Sequence, residues 1–436
     1  FTVSPMHYYS TTNWNGKDYI AAFDGVENFG LEFGNITFMN EVINAPEKVG
    51  LPVGAGPYMA SNASGSGKVT SDNFFNNNFV YYERNPYFYT LGSGISNAKI
   101  KYMRYKVVDS DQIINALANG DIDFGDPSAT QENIAAVEVA GLGHVEIKTS
   151  GYGYVGVNPR FIPSKSVRQA IMMAMNTVLI AENYYKGGLC ELIYRPMSTT
   201  SWAYPTDATS PYYKYDSTGE EIKRILEADG YEKGSDGIYQ KTIDGFGVDR
   251  LGGQNYRMTI AGGSTDHPAY AMFLKAAEIL NSAGMEVKVV TSQTALSDLS
   301  SGKLAIWAAA WSSTIDPDMY QIYHMDSQAS STSNWGYKQI KAGKNSEAYS
   351  DEYALIQELS ELIDAGRSTT NQETRKAIYK EALDKIMELA VEMPTYQRKD
   401  MSAYNKKILD ESTMTPEKDR SPYNGLISRI WELSYN

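Results

Sequence analysis

The sequence predicts an α/β protein with parallel and mixed sheets, divided into two or more lobes. Residues 256–263 have the pattern of a strand, residues 267–284 that of a helix ending at a glycine, and residues 285–291 that of another strand. A strand, helix and strand in this order predict a βαβ unit and a parallel sheet. A chain of 436 residues is too long to fold around one hydrophobic core of ordinary size. Two related segments, "ALANGDIDF" at 116–124 and "DLSSGKLAI" at 298–306, indicate that the lobes repeat one plan.

Three further segments have helical periodicity. The first begins at about Ser166, and its apolar residues recur at the spacing of one helix face: Val167, Ala170, Ile171, Ala174, Met175 and Val178. Residues 351–365 and 371–393 are also predicted helices, the first closed by Gly366 and the second by Pro394. We expect these last two helices to form an antiparallel pair.

The segment "KLAIWAAAW" at 303–311 is predicted to be a buried strand, because both faces are apolar and small residues alternate with Trp307 and Trp311. The strand is expected to emerge at Ser312. Small side chains leave the backbone accessible, so an extended ligand can lie beside residues 310–313 and form main-chain hydrogen bonds, as an added strand does.

The residues that follow contain two acids with two interpretations. Asp316 can cap a helix that has Pro317 at its first position and Asp318 in its first turn. Alternatively, one of the two acids binds a ligand. The capping pattern favours the first interpretation.

Composition and motifs argue against several classes of function. A net charge of −13 without long runs of one sign argues against a nucleic-acid partner. One cysteine, Cys190, and four scattered histidines give no zinc-type spacing, so we expect no metal and no cofactor. Residues 151–156 match a dinucleotide-binding fingerprint only in their glycines, since no helix follows directly. The motifs of common hydrolases are absent from the sequence.

A series of segments, in a specific order, carries a resemblance that runs nearly from end to end. These are "SPMHYY" (4–9), "PVGAGPYM" (52–59), "YYERNPYFY" (81–89), "DSDQIINALANGDIDF" (109–124), "YVGVN" (154–158), "SVRQAIMMAMN" (166–176), "YDSTGEEIKRILEADGY" (215–231), "DPDMY" (316–320), "SNWGY" (333–337) and residues 375–398. On these segments the chain resembles the extracytoplasmic solute-binding proteins of the peptide/nickel-binding family. That family serves ABC importers and includes the oligopeptide- and dipeptide-binding proteins.

The resemblance implies a two-lobed, periplasmic-binding-protein-like fold of type II. Residues 1–155 are then a partial first lobe, residues 156–394 a second α/β lobe and residues 395–436 a return to the first lobe, with the hinge at the two crossings. It also implies that the first lobe is incomplete and that a small accessory domain is missing. The implied location is extracytoplasmic, at a bacterial cell surface or in the periplasm, with a lipid anchor on a missing N-terminal segment.

The same resemblance implies a ligand site where the strand at 303–311 ends. There Trp311 packs against the ligand, and an aspartate in peptide-binding relatives pairs with the α-amine of the peptide. This chain has Thr314 instead, so either Asp316 or Asp318 takes that role or the ligand has no free amine. The expected ligand-binding residues are Tyr154, Asn158, Trp307, Ala310, Trp311, Ser312, Ser313, Thr314, Asp316, Asn334 and Trp335.

Some of these residues have a structural interpretation as well. The tryptophans at 307, 311 and 335 can be core residues, and Tyr154 and Asn158 can pack at the hinge. The place of these residues within the resemblance is the only reason to expect that they bind ligand.

The expected function is to capture an extended oligopeptide between the lobes and present it to the membrane subunits of an ABC permease. The protein is expected to be a monomer and not an enzyme. An oligosaccharide is the alternative ligand, since 33 tyrosines and the missing aspartate both permit it. A third hypothesis is a hydrolase that uses Asp316, which predicts turnover of peptide or glycan.

Overall fold

The computed structural model describes residues 6–9, 36–88 and 97–436. Parts of the predicted first lobe and of its segments at 4–9 and 81–89 therefore lie outside the described residues. The strands are β1 (Tyr58–Ala60), β2 (Phe75–Asn76), β3 (Phe79–Arg84), β4 (Tyr102–Lys106), β5 (Phe124–Gly125), β6 (Gly143–Lys148), β7 (Tyr152–Val157), β8 (Cys190–Leu192), β9 (Glu232–Lys233), β10 (Tyr239–Ile243), β11 (Gly247–Arg250), β12 (Gly252–Ala261), β13 (Glu286–Ser292), β14 (Ile306–Trp311) and β15 (Glu392–Tyr404).

The described α-helices are spread along the whole chain, with the longest in its second half. They are α1 (Met6–Tyr9), α2 (Ile36–Phe38), α3 (Pro46–Val49), α4 (Ser71–Phe74), α5 (Ile113–Ala118), α6 (Gln131–Val139), α7 (Lys165–Met173), α8 (Val178–Asn183), α9 (Glu220–Ala228), α10 (Tyr270–Ala283), α11 (Ala295–Ser300), α12 (Tyr320–Tyr323), α13 (Ser331–Asn334), α14 (Tyr337–Ala342), α15 (Ser350–Ser368) and α16 (Gln372–Leu389). Across the described ranges, no helix is both long and apolar enough to cross a membrane.

A mixed sheet of eight strands dominates the fold. Its order is β13-β12-β14-β7-β15-β5, and β6 and β8 also pair with β15. β12 is parallel to both β13 and β14, whereas β7 is antiparallel to β14 and β15. The predicted βαβ unit is confirmed as β12, α10 and β13. The α/β class with parallel and mixed sheets is confirmed with it.

β15 is a strand of 13 residues that pairs with different partners along its length. Its first residues pair with β7, with Pro394 opposite Tyr154, and residues 399–404 pair with β6. The two predicted crossings between lobes, near residues 155–158 and after Pro394, therefore lie on adjacent strands. The lobe boundaries themselves remain a prediction. Two smaller antiparallel sheets, β1 to β4 and β9 to β11, lie outside this sheet.

The eight-stranded sheet separates two apolar cores, because successive side chains of a strand point to opposite faces. On β7, Val155 and Val157 belong to one core, and Tyr152 and Tyr154 belong to the other. The first core is completed by α7, α9 and α10, through residues such as Ile171, Leu226 and Phe273. The second is completed by α15 and α16, through residues such as Ile356 and Leu383.

The two related segments identified in the sequence have the same local structure. α5 and α11 are each followed by a glycine with positive φ, Gly120 at 75° and Gly302 at 67°. In each, the residue after the glycine donates its N–H to a carbonyl five residues earlier, Asp121 to Ala116 at 2.8 Å and Lys303 to Asp298 at 2.9 Å. These bonds terminate the helix and lead the chain into a strand.

Three of the predicted helix ends were wrong. The helix predicted from Ser166 ends at Met173, and the apolar face resumes in α8. Gly366 does not close α15, which continues to Ser368. A Cβ at Gly366 would lie 2.2 Å from Cε1 of Tyr379, so this glycine permits close contact between α15 and α16. α16 ends at Leu389, where Ala390 adopts a left-handed conformation, and Pro394 lies inside β15.

Candidate functional site

The end of β14 has an edge without a partner strand. β7 pairs with β14 along its whole length, from Ile306 to Trp311. β12 pairs with it only at Ile306 and Trp307, after which the two parallel strands diverge. Within the described part of the chain, no strand covers this edge from Ala308 onward. Three successive alanines line this edge, so no large side chain shields the backbone.

Two cavities meet at this end of β14. The larger, which we call the cleft, has a volume of about 730 Å³ and is lined by the end of β14, the start of β7, the middle of β15 and residues near 126 and 421. The smaller, which we call the side cavity, has a volume of about 360 Å³ and lies where β12 and β14 diverge, beside α11. Ala310, Trp311 and Tyr396 line both cavities.

Four of the sequence-predicted residues form one aromatic cluster behind the cleft. The half-buried Trp311 ring stacks on Tyr154 with centroids 5.1 Å apart and planes 4° from parallel. Trp335 contacts both rings, and Trp307 stacks on Trp335. Trp307 and Trp335 are 1% and 0% exposed, so they support the cluster from inside the core. Trp311 and Tyr154 are the members that reach the cavities.

The residues after Trp311 leave the sheet as an irregular segment. Ala310, Ser312 and Thr314 are exposed, and Ala310 and Ser312 line the cleft. The carbonyl oxygen of Ser313 accepts a hydrogen bond from Tyr423 Oη at 3.2 Å. Thr314 donates its hydroxyl to the carbonyl of Asp316 at 2.8 Å. The segment therefore has one hydrogen bond within itself and one to the C-terminal region across the cleft.

The two predicted asparagines lie in different places. Asn334 is 6% exposed and lines the side cavity. Asn158 is fully buried just beyond the other end of β7, where its Oδ1 accepts a hydrogen bond from the Arg160 N–H at 2.9 Å. Its backbone N–H binds the carbonyl of Ala305, before β14 begins. The structure thus brings Asn334 near Trp311 and leaves Asn158 at the opposite end of the strand.

The capping interpretation of Asp316 was wrong, because α12 begins only at Tyr320. Asp316 instead forms a bidentate pair with Arg375, with oxygen to nitrogen distances of 2.7 and 3.0 Å. The hydrogen bonds from Arg375 lower the pKa of the Asp316 carboxyl below its ordinary value. Asp318 pairs with Arg367 at 3.2 Å. Both acids proposed for the ligand amine therefore already have a cationic partner.

The cleft contains other charged groups that sequence analysis did not select. Arg398 pairs with Asp400 at 2.6 Å, and Lys148 pairs with Glu191 at 2.9 Å. Asp126 is exposed and accepts a hydrogen bond from Ser402 at 2.7 Å. It has no ion pair with any described residue, so its charge remains available to a ligand.

Sequence analysis also missed Glu392, a fully buried acid on β15. Its carboxylate accepts hydrogen bonds from Tyr323 at 2.6 Å and Tyr152 at 3.0 Å. Burial raises the pKa of this carboxyl to about 7, although the two tyrosines and the nearby Trp311 indole oppose the shift. A single acid between Val391 and Met393, in an apolar segment, was the only sequence signal.

The described residues contain no group of three or more histidine, cysteine, aspartate or glutamate side chains placed to hold a metal ion. His267 lines the side cavity, and its Nδ1 accepts a hydrogen bond from the Ala269 N–H at 3.2 Å. Burial lowers the pKa of His267 below its ordinary value. Burial therefore favours the neutral form of this histidine.

Comparisons with known proteins identify the family to which the chain belongs. Residues 32–333 match the family model described as bacterial extracellular solute-binding proteins, family 5, middle. The oligopeptide-binding protein AppA of Bacillus subtilis is 25% identical over 321 residues, which are 70% of this chain and 54% of AppA. The match thus spans about half the length of that curated relative.

Solved structures show the same fold. AppA of Bacillus subtilis in complex with a nonapeptide has a TM-score of 0.59 and 21% identity, with 100% of this chain and 72% of that chain covered. NikZ of Campylobacter jejuni in complex with Ni(L-His) has a TM-score of 0.62 and 20% identity, with 94% and 72% covered. The fold is that of the type II periplasmic binding proteins, and the chain belongs to family 5 of the bacterial extracellular solute-binding proteins.

Proposed function

We propose that this chain captures an extended oligopeptide in the cleft and delivers it to the membrane subunits of an ABC importer. The uncovered edge of β14 is the observation that carries the proposal. Main-chain N–H and C=O groups on a free strand edge can bind any peptide backbone, since all peptides present the same groups. Ala310, the last alanine of the strand, is exposed and lines the cleft, so a peptide backbone can approach β14 closely there.

Two further features support a peptide ligand. Trp311 borders the cleft and is held in place by its stack on Tyr154. Rigid aromatic side chains provide contact area at a small loss of conformational entropy. The relative named above is an oligopeptide-binding protein, and its solved structure contains a nonapeptide.

The α-amine of the peptide needs an acidic partner, since a buried ammonium without one is unfavourable. Thr314 carries no charge, and Asp316 and Asp318 are paired with arginines. Asp126 lines the cleft and lacks an ion pair within the described residues. We therefore assign amine binding to Asp126 and treat Asp316 as a residue that anchors the segment after β14.

An oligosaccharide remains the second candidate, because sugars stack on aromatic rings and carry no ammonium. The stacked Trp311 at the cleft wall favours it. A hydrolase is the weakest hypothesis, since Asp316 is held by Arg375 and Glu392 is buried. Members of this family are substrate-binding proteins, and we infer that the chain performs no chemistry.

We further propose that the protein works outside the cytoplasm, where its family works. We also propose that it is a monomer with a lipid anchor. Its first lobe would comprise residues 1–155 and 395–436, and its second lobe residues 156–394. Closure would then occur about β7 and β15. The contact of Tyr423 with Ser313 supports an arrangement in which the C-terminal region meets the binding strand.

Thermal unfolding in the presence of mixed peptides or mixed oligosaccharides tests the ligand class. A ligand at 100 times its Kd adds about 2.7 kcal/mol to the free energy of unfolding. A shift with peptides alone supports the proposal, and a shift with sugars alone overturns it.

Backbone methylation of a bound peptide then tests strand addition. Along an added strand, alternate N–H groups face β14 and the others face away. N-methylation at alternate residues should therefore weaken binding at every second position and leave the intervening positions nearly unchanged. The peptides that are methylated at the intervening positions are the matched controls. An equal effect at all positions would contradict pairing with β14.

A further inference from the structure

We propose that the side cavity is a specificity pocket that accepts one uncharged aromatic side chain of the bound peptide, with tyrosine preferred over phenylalanine. This inference rests on the proposed peptide function. It assigns to the chain a side-chain preference that an open strand edge alone would not provide.

The position of the side cavity connects it to the peptide path. Ala310 and Trp311 line both the side cavity and the cleft. A peptide that lies in the cleft and pairs with β14 from Ala310 onward passes these residues, and its successive side chains point to opposite sides. One side chain is then directed past Trp311 into the side cavity, and its neighbours stay in the cleft.

The lining of the side cavity selects against charge. It contains no aspartate, glutamate, lysine or arginine from the described residues. Its one histidine, His267, is held toward its neutral form because burial lowers its pKa. A lysine or glutamate side chain would lose water here without gaining an ionic partner, which strongly opposes its entry.

The same lining favours an aromatic ring. Tyr154, Trp311 and Tyr396 contribute aromatic walls, and Leu296 and Leu299 of α11 add aliphatic surface. A volume of about 360 Å³ lies at the small end of the range for ligand pockets, so it suits one side chain rather than a whole peptide. Aromatic pairs gain favourable interaction beyond the burial of their area.

Asn334 provides the polar contact that distinguishes tyrosine. This residue lines the side cavity and is only 6% exposed. Its Oδ1 is buried without a partner. A half-turn of the carboxamide exchanges its oxygen and nitrogen, so it can accept from or donate to a phenol hydroxyl. Phenylalanine would leave the amide unpaired.

Binding of alanine- and serine-based nonapeptides, measured by calorimetry, tests this inference. One residue is varied among tyrosine, phenylalanine, leucine, lysine and glutamate, and its place is moved along the peptide. At one position we expect tyrosine to bind about 3- to 10-fold more tightly than phenylalanine. Lysine and glutamate should bind at least about 100-fold more weakly than tyrosine there.

Three variants separate the two parts of the inference. Asn334→Leu should remove the difference between tyrosine and phenylalanine but keep the preference for aromatic residues. Ala261→Leu fills the side cavity and should bring the ratio of tyrosine to alanine affinities close to one. Val139→Leu enlarges an apolar residue that is 90% exposed on α6 and serves as the matched control, with ratios equal to those of the parent chain. If Asn334→Leu does not fold, Ala261→Leu still tests the pocket.

The outcomes are distinct. If all peptides in the series bind equally well, the pocket is refuted and the peptide function stands. If lysine or glutamate binds as tightly as tyrosine at every position, the uncharged character is refuted. If no peptide binds, the proposed function itself fails and the pocket assignment fails with it.

Discussion

The Tyr323 hydroxyl donates a hydrogen bond of 2.6 Å to the carboxylate of Glu392, which is fully buried beneath the aromatic cluster of the candidate site. The other groups that face this carboxylate are the Trp311 indole and the hydroxyls of Tyr152, Tyr154 and Tyr337, and the pKa of each of these tyrosines is raised. The described surroundings of Glu392 therefore offer no positive charge to balance its ionised form.

Ionisation of Glu392 should lower protein stability as the pH rises from about 4.5 to about 7. Its pKa is raised from 4.5 to about 7 in the folded protein, so the folded state holds the proton more tightly than the unfolded chain. The free energy of unfolding should then decrease between about pH 4.5 and pH 7, by about 3 kcal/mol in all, and level off above that range. Urea unfolding at several pH values measures this decrease.

The matched variants for this prediction are Glu392→Gln and Glu132→Gln. The first should remove the decrease, because the amide does not ionise. The second alters an exposed acid of α6 and should keep the parent profile. A constant difference in stability between the parent and Glu392→Gln across this pH range would show that Glu392 does not titrate there.

Replacement of Trp311 by alanine should weaken ligand binding by about 30-fold, as is typical for an aromatic residue at the centre of an interface. The ring borders both cavities and its stack on Tyr154 would be lost. Calorimetry with the preferred peptide measures the effect. Trp431→Ala is the control, since Trp431 packs on Phe88 elsewhere. Similar losses in both variants would indicate general destabilisation.

Asp126→Asn should weaken binding of peptides with a free amine by about tenfold, because a hydrogen-bonded charge contributes more than a neutral pair. N-acetylated peptides should bind the variant and the parent chain equally. The comparison of the two peptide forms measures the amine contribution alone. Asp121→Asn, which changes an exposed acid paired with Lys106, is the control. Loss of the amine preference in Asp316→Asn instead would return this role to Asp316.

Arg168→Ala should lower the free energy of unfolding by about 3–5 kcal/mol, since it leaves Glu352 as a buried charge without its partner. Arg168 is 0% exposed and donates to Glu352 at 3.0 Å and to the carbonyls of Ile162 and Pro163. It joins α7 to α15. Arg224→Ala, which breaks an exposed pair on α9, should leave the free energy of unfolding nearly unchanged, because solvent screens the pair. Equal effects of the two changes in denaturant unfolding would contradict this argument.

Local patterns in the sequence were sufficient for the elements whose residues interact with their chain neighbours. The β12, α10 and β13 unit and the strand β14 follow from periodicity, and the likeness of the segments at 116–124 and 298–306 was visible in the sequence. The amphipathic face of α7 was also visible. Its length was not, because the break after Met173 depends on packing beyond the helix.

The site depended on contacts between residues far apart in the chain. Gly366 faces Tyr379, Asp316 pairs with Arg375, and Glu392 is enclosed by Tyr152 and Tyr323. No periodic pattern predicts such partners, since each pair is set by how the helices pack on the sheet. The sequence by itself determined the α/β class, the family resemblance and the apolar strand that ends at Trp311. Only the tertiary structure decided that β12 diverges from β14 at this point, because the exposure of a strand edge depends on where its neighbouring strand ends.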